Sequence, residues 1–279
     1  MKYRQFTPAP QVAQFVECYW TLDDYAPAPA AVQRVVPDGT CELVVNRGRP
    51  FEQFVDGEWR LQPSAFLAGQ ITGPLLLRPS GAASVIGIRF RPHGAQHLFR
   101  TRMDELTGTM CPLADLSPLL SREFDRVVES DSMDPVTIDR ALLRHDRGAQ
   151  PDSLLAEAVR RMIACGGVLE LARLAGQLGI SLRQFERRFR AAAGISPKLF
   201  CRMQRFQRVF QAIERGTPNW VSVAVDCGYF DQAHLIRDFR AFAGKPPSVF
   251  FAADDLARHF LRYAGGMSDF SKTPAAISA

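Results

Sequence analysis

Two arginines one helical turn apart are the side chains of this chain with the clearest chemical potential. Arg183 and Arg187 lie four residues apart within LRQFERRFR, so a helix places both on one face. Leu182, Phe185 and Phe189 fall on the opposite face, which we expect to be core. A guanidinium can donate two parallel hydrogen bonds to guanine O6 and N7, or it can bind a phosphate. Exposed arginines are more often only a solvated face, so the element that carries them decides their meaning.

That element belongs to a duplicated unit. Residues 189–200 (FRAAAGISPKLF) and 239–250 (FRAFAGKPPSVF) lie 50 residues apart and are identical at seven of twelve positions. Each copy follows a matched segment, LARLAGQLGIS at 171–181 and VSVAVDCGYFD at 221–231, with the pattern of a short helix, a glycine turn and a second helix. Second helices of helix-turn-helix motifs enter the major groove of DNA with their N-terminal residues. The position of Arg183 and Arg187 therefore predicts DNA contact, with Gln184 and Arg188 beside them.

Capping signals predict where these helices begin. Ser181 with Gln184 three residues later forms a capping box, and Asp231 caps the second unit. Phe230 is expected to pack against Leu235 as a hydrophobic staple. The second turn is one residue longer than the first, and the outward side chains of the two units differ. An asymmetric DNA site is therefore expected.

Residues 197–214, capped by Ser196, are predicted to form one amphipathic helix between the two units. Its eighteen residues span roughly 27 Å, close to the roughly 34 Å of one turn of B-DNA. One protomer can therefore place two recognition helices in successive major-groove segments. The outward residues of the second recognition helix are Gln232, Ala233, His234 and Arg237. Candidate phosphate contacts are Arg188, Arg202, Arg205 and Arg240.

Charge is concentrated in the part of the chain that carries the repeat. Residues 151–252 contain fifteen Lys and Arg against eight Asp and Glu, whereas the rest of the chain is slightly acidic. A basic module joined to a nearly neutral one predicts that only the basic part meets a polyanion. The six cysteines form no CxxC pair, and no apolar run approaches a membrane span. We expect a soluble, cytoplasmic protein with reduced thiols, no membrane contact and no signal peptide.

The N-terminal part has the pattern of an antiparallel β structure. Seven short apolar runs between residues 31 and 92 are separated by Gly, Pro and Asp: QRVVP, CELVVN, FEQFV, EWRLQ, SAFLAGQ, PLLLRP and SVIGIRFRP. In the last of these, alternation is expected to leave Arg89 and Arg91 on a face separate from the apolar one. Helical patterns follow in HGAQHLFR, ADLSPLLSREFDRVVE and VTIDRALLRH.

The predicted fold class is α+β and multidomain, with an N-terminal cupin-like antiparallel β-barrel and a C-terminal all-α domain that has two helix-turn-helix motifs. The expected divisions are a β-rich sensory or accessory domain at 1–115, a helical linker at 116–152, the DNA-binding domain at 153–252 and a tail at 253–279.

The region from about 153 to 252 resembles the DNA-binding domain of the AraC/XylS family of bacterial transcription regulators. The resemblance rests on LAxxLGIS (174–181), FxRxF (185–189), GISP (194–197), AxxxGYFDQ (224–232), RxF (237–239) and GxxP (244–247). It implies base or backbone contacts at 183, 186 and 187, which adds Glu186, and at 232, 233, 234 and 237. Phe185 and His234 depart from the residues that are usual in the family, which leaves the base specificity open.

The resemblance also implies partners. These are double-stranded promoter DNA, RNA polymerase, a small-molecule effector and a second copy of the chain in a homodimer. Residues 1–115 are similar to the sensory domains that precede this DNA-binding domain, and VVPDGTCELVVN, FLAGQITGP and GIRFRPHGA are similar to a subgroup whose ligand is unassigned.

Four N-terminal residues are candidates to line a ligand pocket, although β-barrels also bury or pair such groups: Trp20, Arg34, Glu42 and Arg89. His93 and His97 have a spacing that suits a metal, but no third ligand is near and no HxH signature exists, so neither a metal nor a cofactor is expected. No catalytic residue is predicted. The alternatives to a DNA-binding regulator are a helical interaction module and an alkyl-accepting DNA repair enzyme, for which a PCHR-like nucleophile motif is lacking.

Overall fold

In the computed structural model of the protein, which describes residues 2–24, 32–129, 134–146, 148, 151–213 and 219–253, ten strands precede most of the helices. The strands are β1 (Lys2–Phe6), β2 (Val16–Asp24), β3 (Gln33–Val35), β4 (Glu42–Asn46), β5 (Phe51–Val55), β6 (Glu58–Leu61), β7 (Ala65–Ala68), β8 (Leu75–Pro79), β9 (Ala83–Phe90) and β10 (Met110–Pro112). All seven predicted strands are present. The sequence reasoning missed β1, β2 and β10.

These strands form two antiparallel sheets. The larger sheet has the order β1-β2-β9-β4-β7-β10, and the smaller has the order β3-β8-β5-β6. The sheets are not hydrogen-bonded into one closed barrel, so the antiparallel β domain is confirmed but the closure expected of a barrel is not seen. Residues of both sheets line one cavity between them.

The helices are α1 (Gly94–Phe99), α2 (Leu113–Leu116), α3 (Pro118–Glu129), α4 (Pro135–His145), α5 (Ser153–Ala164), α6 (Leu171–Gln177), α7 (Leu182–Ala193), α8 (Pro197–Ile213), α9 (Trp220–Asp226), α10 (Gln232–Ala243) and α11 (Pro247–Ala253). A 3-10 turn at Met103–Glu105 follows α1. The predicted tail lies outside the described residues, apart from its first residue. None of the helices in the described ranges is both long and apolar enough to cross a bilayer.

Helices α3 and α4, which we predicted to be a linker, pack into the N-terminal core. Phe124 and Leu142 are completely buried in one cluster with residues of the larger sheet. The Tyr19 hydroxyl donates to Asp139 Oδ1 on α4 at 2.6 Å, and the Ala9 amide donates to the same oxygen. The two helices therefore extend the core of the β domain.

The C-terminal part is all-α and contains two helix-turn-helix pairs, as predicted: α6 with α7, and α9 with α10. Gly179 in the first turn has φ of +74°, which a residue with a Cβ rarely adopts. The core of this part is rich in phenylalanine, and Phe185, Phe206 and Phe239 are fully buried. Leu182, expected in the core, is 37% exposed because it occupies the first position of α7.

Candidate nucleic-acid interface

The first recognition helix, α7, begins at the predicted capping box. The backbone N–H of Gln184 donates to Ser181 Oγ at 3.3 Å, and the backbone N–H of Ser181 donates to the side-chain oxygen Oε1 of Gln184 at 3.0 Å. This reciprocal pair satisfies two amides that the first turn would otherwise leave unpaired. The side chain of Gln184 therefore caps the N-terminus of α7, which is the end of the helix that is proposed to contact DNA.

The solvent face of α7 carries the predicted base-reading residues. Arg183, Glu186 and Arg187 are exposed, whereas Phe185 and Phe189 are buried with their rings 5.7 Å apart. Neither Arg183 nor Arg187 forms a hydrogen bond or an ion pair with another residue in the described ranges. Their guanidinium groups are thus available to bind another molecule.

The second recognition helix, α10, is less basic. Asp231 caps it by accepting the His234 amide at 2.6 Å. Ala233 and Arg237 are exposed, and Gln232 and His234 are half-buried. The imidazole of His234 packs edge-on against the Tyr229 ring, with the ring centroids 5.2 Å apart.

Phe230 does not form the predicted staple with Leu235. Its side chain is 91% exposed, and Tyr229 is the turn residue that is buried. The extra residue in the second turn explains the difference, because it moves the inward position back by one residue. Phe230 consequently lies exposed beside the N-terminus of α10.

Three of the four candidate phosphate contacts have partners within the protein. Arg202 on α8 donates to Asp238 Oδ1 at 2.8 Å, Arg205 donates to the Gly167 carbonyl at 2.8 Å, and Arg188 is paired with Asp152. Arg208 on the same helix donates to the Asp226 carbonyl. The arginines of α8 thus form hydrogen bonds that join α8 to other parts of the helical domain.

Two arginines remain well placed for phosphate contact. Arg240 is exposed on α10 and has no partner among the described side chains. Arg173 is exposed on α6, the helix that crosses the DNA backbone in this motif. Sequence reasoning missed Arg173, although the charge of α6 and its place before the glycine turn could have indicated it.

All four residues predicted to line an N-terminal pocket surround one cavity of about 200 Å³. Trp20 projects from β2, Arg34 from β3, Glu42 from β4 and Arg89 from β9. The Trp20 indole nitrogen donates to Glu42 Oε1 at 3.2 Å. Most of the remaining wall is apolar and includes Leu22, Val44, Phe51, Phe66, Leu75, Leu77 and Val85.

Arg89 lies on the face of β9 away from Ile86, Ile88 and Phe90, and it is buried there. Every residue of β9 is buried, because the strand lies inside the larger sheet with helices on one side. Arg89 Nε donates to Glu42 Oε1 at 2.8 Å, and the Nη2 nitrogen of the same guanidinium lies 3.4 Å from Asp38 Oδ2. Burial alone would lower the pKa of Arg89, but the Glu42 and Asp38 carboxylates outweigh it and raise that pKa well above its ordinary value.

The two histidines with metal-like spacing have other surroundings. His93 is buried immediately before α1, and His97 Nε2 lies 3.2 Å from Asp146 Oδ1. Burial lowers the pKa of both imidazoles. Within the described ranges no group of three or more His, Cys, Asp or Glu side chains could hold a metal ion.

The buried thiols are poor nucleophiles. Burial raises the pKa of Cys18 and of Cys41 to about 12, and that of Cys201 to about 11. A thiolate is the reactive form of cysteine, so these three residues are almost entirely protonated at neutral pH.

The β domain contacts the C-terminal end of each recognition helix. The Thr107 hydroxyl donates to the Gly194 carbonyl after α7 at 2.6 Å. Arg34 Nη1 donates to the Ala243 carbonyl at the end of α10 at 3.2 Å. Sequence reasoning missed this interface, because its partners lie 87 and 209 residues apart in the chain.

A second set of contacts joins the loop after β3 to α8. Gln207 and Gln204 on α8 donate to the carbonyls of Pro37 and Asp38. Gly39 has φ of +86°, and a Cβ there would lie 2.8 Å from the Phe200 ring. Val36 is buried within the core of the helical domain. The segment 33–40 therefore lines the cavity and also packs against the helix that joins the two DNA-reading units.

Comparison with known proteins agrees with this architecture. A family model described as a helix-turn-helix domain matches residues 174–253, and one described as a domain of unknown function (DUF6597) matches residues 4–112. No curated protein matches the chain.

Solved structures that are similar to this chain include two of ToxT from Vibrio cholerae. The apo form of a ToxT variant is 11% identical, with 84% of this chain and 97% of that chain covered and a TM-score of 0.44. Wild-type ToxT with a bound unsaturated fatty acid is 12% identical, with 89% and 94% covered and a TM-score of 0.41. The AraC-like transcriptional activator CuxR is 16% identical, with 76% and 82% covered and a TM-score of 0.32. With two helix-turn-helix pairs in the fold and the family match over the same residues, the chain has an AraC-type helix-turn-helix domain at its C-terminal end.

Proposed function

We propose that the protein is a sequence-specific regulator that binds double-stranded promoter DNA by setting α7 and α10 into successive major-groove segments. The base-reading residues are Arg183, Glu186 and Arg187 on α7, and Gln232, Ala233, His234 and Arg237 on α10. Gln184 contributes its amide nitrogen, and Arg173 and Arg240 bind phosphates.

The observation that carries this proposal is the exposed basic face of α7. Arg183 and Arg187 lie on the N-terminal half of a second helix whose other face is locked into the core by Phe185 and Phe189. The arginines of α8 are paired internally, whereas these two have no partner among the described residues. A helix that is fixed by its buried face and carries unpaired guanidinium groups suits base-edge hydrogen bonding, because no internal pair has to be broken on binding.

Selection of genomic duplex fragments by the purified full-length protein tests the proposal. We expect a common asymmetric motif, because α7 and α10 present different side chains. Affinity for that motif should fall steeply with salt, with a slope of about −0.9 per neutralised phosphate. Failure to bind any duplex at low salt would instead support the helical interaction module.

We assign the N-terminal domain the role of sensing a small molecule in the cavity between the two sheets. Two features support this role. The cavity has an apolar wall and a few convergent polar groups, as binding sites for small molecules commonly do. Its wall segment 33–40 also contacts α8 and α10, so a ligand that shifts this segment has a physical route to both DNA-reading units.

Contact between the β domain and α7 is expected to hold the last turn of the recognition helix. Thr107→Val removes the hydroxyl that donates to the Gly194 carbonyl but keeps the side-chain shape. A hydrogen bond contributes about 0.5–1.5 kcal/mol, so amide hydrogen exchange at residues 190–195 should become roughly 2–10 times faster. Thr109→Val is the matched control, because that hydroxyl bonds only to the nearby Leu106 carbonyl. Equal exchange in both variants would show that the Thr107 contact does not stabilise α7.

Self-association is the alternative role of the N-terminal domain, and RNA polymerase and a second copy of the chain remain predicted partners. Light scattering with and without the selected DNA distinguishes a monomer from a dimer. A monomer is able to occupy the whole site, because one chain carries both helix-turn-helix motifs.

A further inference from the structure

The cavity between the two sheets has polar groups that discriminate between classes of ligand. This inference rests on the sensory role proposed above for the N-terminal domain, and it concerns the chemistry of the molecule that the cavity takes. Among the residues that the structure describes, four charged side chains line the cavity, Arg34 and Arg89 against Asp38 and Glu42, so their formal charges balance.

The two arginines of the cavity are already engaged. Arg89 lies between Glu42 and Asp38, and it is only 8% exposed. Arg34 donates to the Ala243 carbonyl of the helical domain. An anionic ligand that approached Arg89 would have to displace one carboxylate while facing the other, and like charges at short distance in a desolvated site repel strongly.

The acidic groups of the cavity are engaged as well. Glu42 Oε1 accepts from Trp20 and Arg89, and Asp38 Oδ1 accepts from the amide and the hydroxyl of Thr40. The ion pairs of Arg89 with Glu42 and with Asp38 are thus part of the cavity wall. A cationic ligand would find carboxylates that are already neutralised by Arg89, so a charge of either sign gains little on entry.

Two cavity residues instead carry buried acceptors that nothing in the described structure satisfies. Asn46 is 7% exposed, and its Nδ2 donates to the Pro63 carbonyl at 3.0 Å, which leaves Oδ1 without a partner. Gln33 on the opposite sheet has a buried Oε1 that also has no partner. Buried oxygens of this kind are nearly always hydrogen-bonded in proteins, so a donor is missing on each side of the cavity.

We infer that the cavity takes an uncharged molecule with an apolar body and N–H or O–H donors, such as an amide or an alcohol, and that it rejects carboxylates. The apolar wall buries the body of the ligand. Asn46 Oδ1 and Gln33 Oε1, which have almost no accessible surface in this structure, accept its hydrogen bonds once the two side chains rotate toward the ligand. The cavity is smaller than the roughly 300–1,000 Å³ typical of drug-sized ligands, so the molecule is small.

Calorimetric titration of the full-length protein with a matched series of eight-carbon probes tests this inference. Octanamide and 1-octanol should bind at least about tenfold more tightly than octanoate and octylamine. Octanoate binding as tightly as octanamide would overturn the inference, and so would tightest binding of octylamine or no binding of any probe.

Gln33→Met tests the acceptor directly. Methionine has a similar length and no carbonyl oxygen, so octanamide should bind about tenfold more weakly while the variant melts at the same temperature as the wild type or higher. Gln53→Met is the matched control, because Gln53 lies on β5 of the same sheet and does not line the cavity. Unchanged octanamide affinity in Gln33→Met would overturn the assignment of this oxygen as a ligand acceptor.

Binding of the selected DNA is measured on the same samples. If the probes bind as described and DNA affinity does not change, the ligand class stands and the sensory role fails. If no probe binds while the DNA motif is still recognised, the ligand class fails and the DNA-binding function stands.

Discussion

Replacement of Arg187 by alanine is expected to lower affinity for the selected DNA site by roughly 5- to 150-fold, which corresponds to about 1–3 kcal/mol for one bidentate base contact. Arg187 is exposed at the centre of the outward face of α7 and has no intramolecular partner among the described residues. Its loss removes contacts to the DNA and leaves the fold intact, because the buried face of α7 is made by Phe185 and Phe189. Discrimination at a single base pair should relax in parallel.

Fluorescence anisotropy with the selected duplex and with single-base variants measures this effect. Arg160→Ala is the matched control, since it removes the same charge from the same basic part of the chain on α5, where Arg160 pairs with Glu157. A base-reading role predicts a large loss for Arg187→Ala and little change for Arg160→Ala. If Arg187→Ala bound matched and scrambled duplexes as the wild type does, Arg187 would not read bases.

Local patterns in the sequence were sufficient to predict the recognition helices. The faces of α7 follow from the 3.6-residue period, and the start of α7 follows from the Ser181 capping box, both of which depend on residues within one or two turns. The seven predicted strands are also local, as apolar runs that end at Gly, Pro or Asp. In contrast β1 lies at the edge of the larger sheet and carries exposed polar residues, so its sequence KYRQF lacks a clear apolar alternation.

Features that depend on distant partners could not be predicted in the same way. Arg202 was expected to face solvent, but the residue that neutralises it, Asp238, lies 36 positions later on another helix. Arg89 was expected on the polar face of its strand, but that face is buried and Glu42 pairs with Arg89 from 47 positions away. Periodicity tells which side of an element is polar, whereas only the tertiary fold tells whether that side meets solvent or a buried carboxylate.

Truncation of Phe206 to alanine is expected to destabilise the helical domain by about 3–5 kcal/mol, the range for deletion of a buried aromatic ring. Phe206 lies at the middle of α8 and is fully buried. Its ring centroid lies 4.9 Å from that of Phe239 and 5.2 Å from that of Phe242, both on α10, and 5.0 Å from that of Phe210. Loss of the ring would leave a cavity and would remove the packing contacts that hold α10 against α8.

Urea unfolding measures the loss. Phe54→Ala is the control, because Phe54 is 41% exposed and its ring meets mainly Trp59, so this change should cost no more than about 1.5 kcal/mol. A loss for Phe206→Ala no larger than that for Phe54→Ala would contradict the role of this ring cluster. Since typical domains are stable by only about 5–15 kcal/mol, Phe206→Leu provides a milder variant that should stay folded and lose about 1–2 kcal/mol.

The same substitution separates stability from DNA reading. Phe206 is remote from the exposed face of α7, so the Phe206→Leu protein keeps the arginines of the first recognition helix in place. If α8 sets the position of α10 relative to α7 through this ring cluster, Phe206→Leu should weaken binding to the full asymmetric site more than binding to a half-site that only α7 reads. Equal weakening at both sites would mean that the cluster contributes stability alone, and that the spacing of the two recognition helices is fixed instead by the β domain through Thr107 and Arg34.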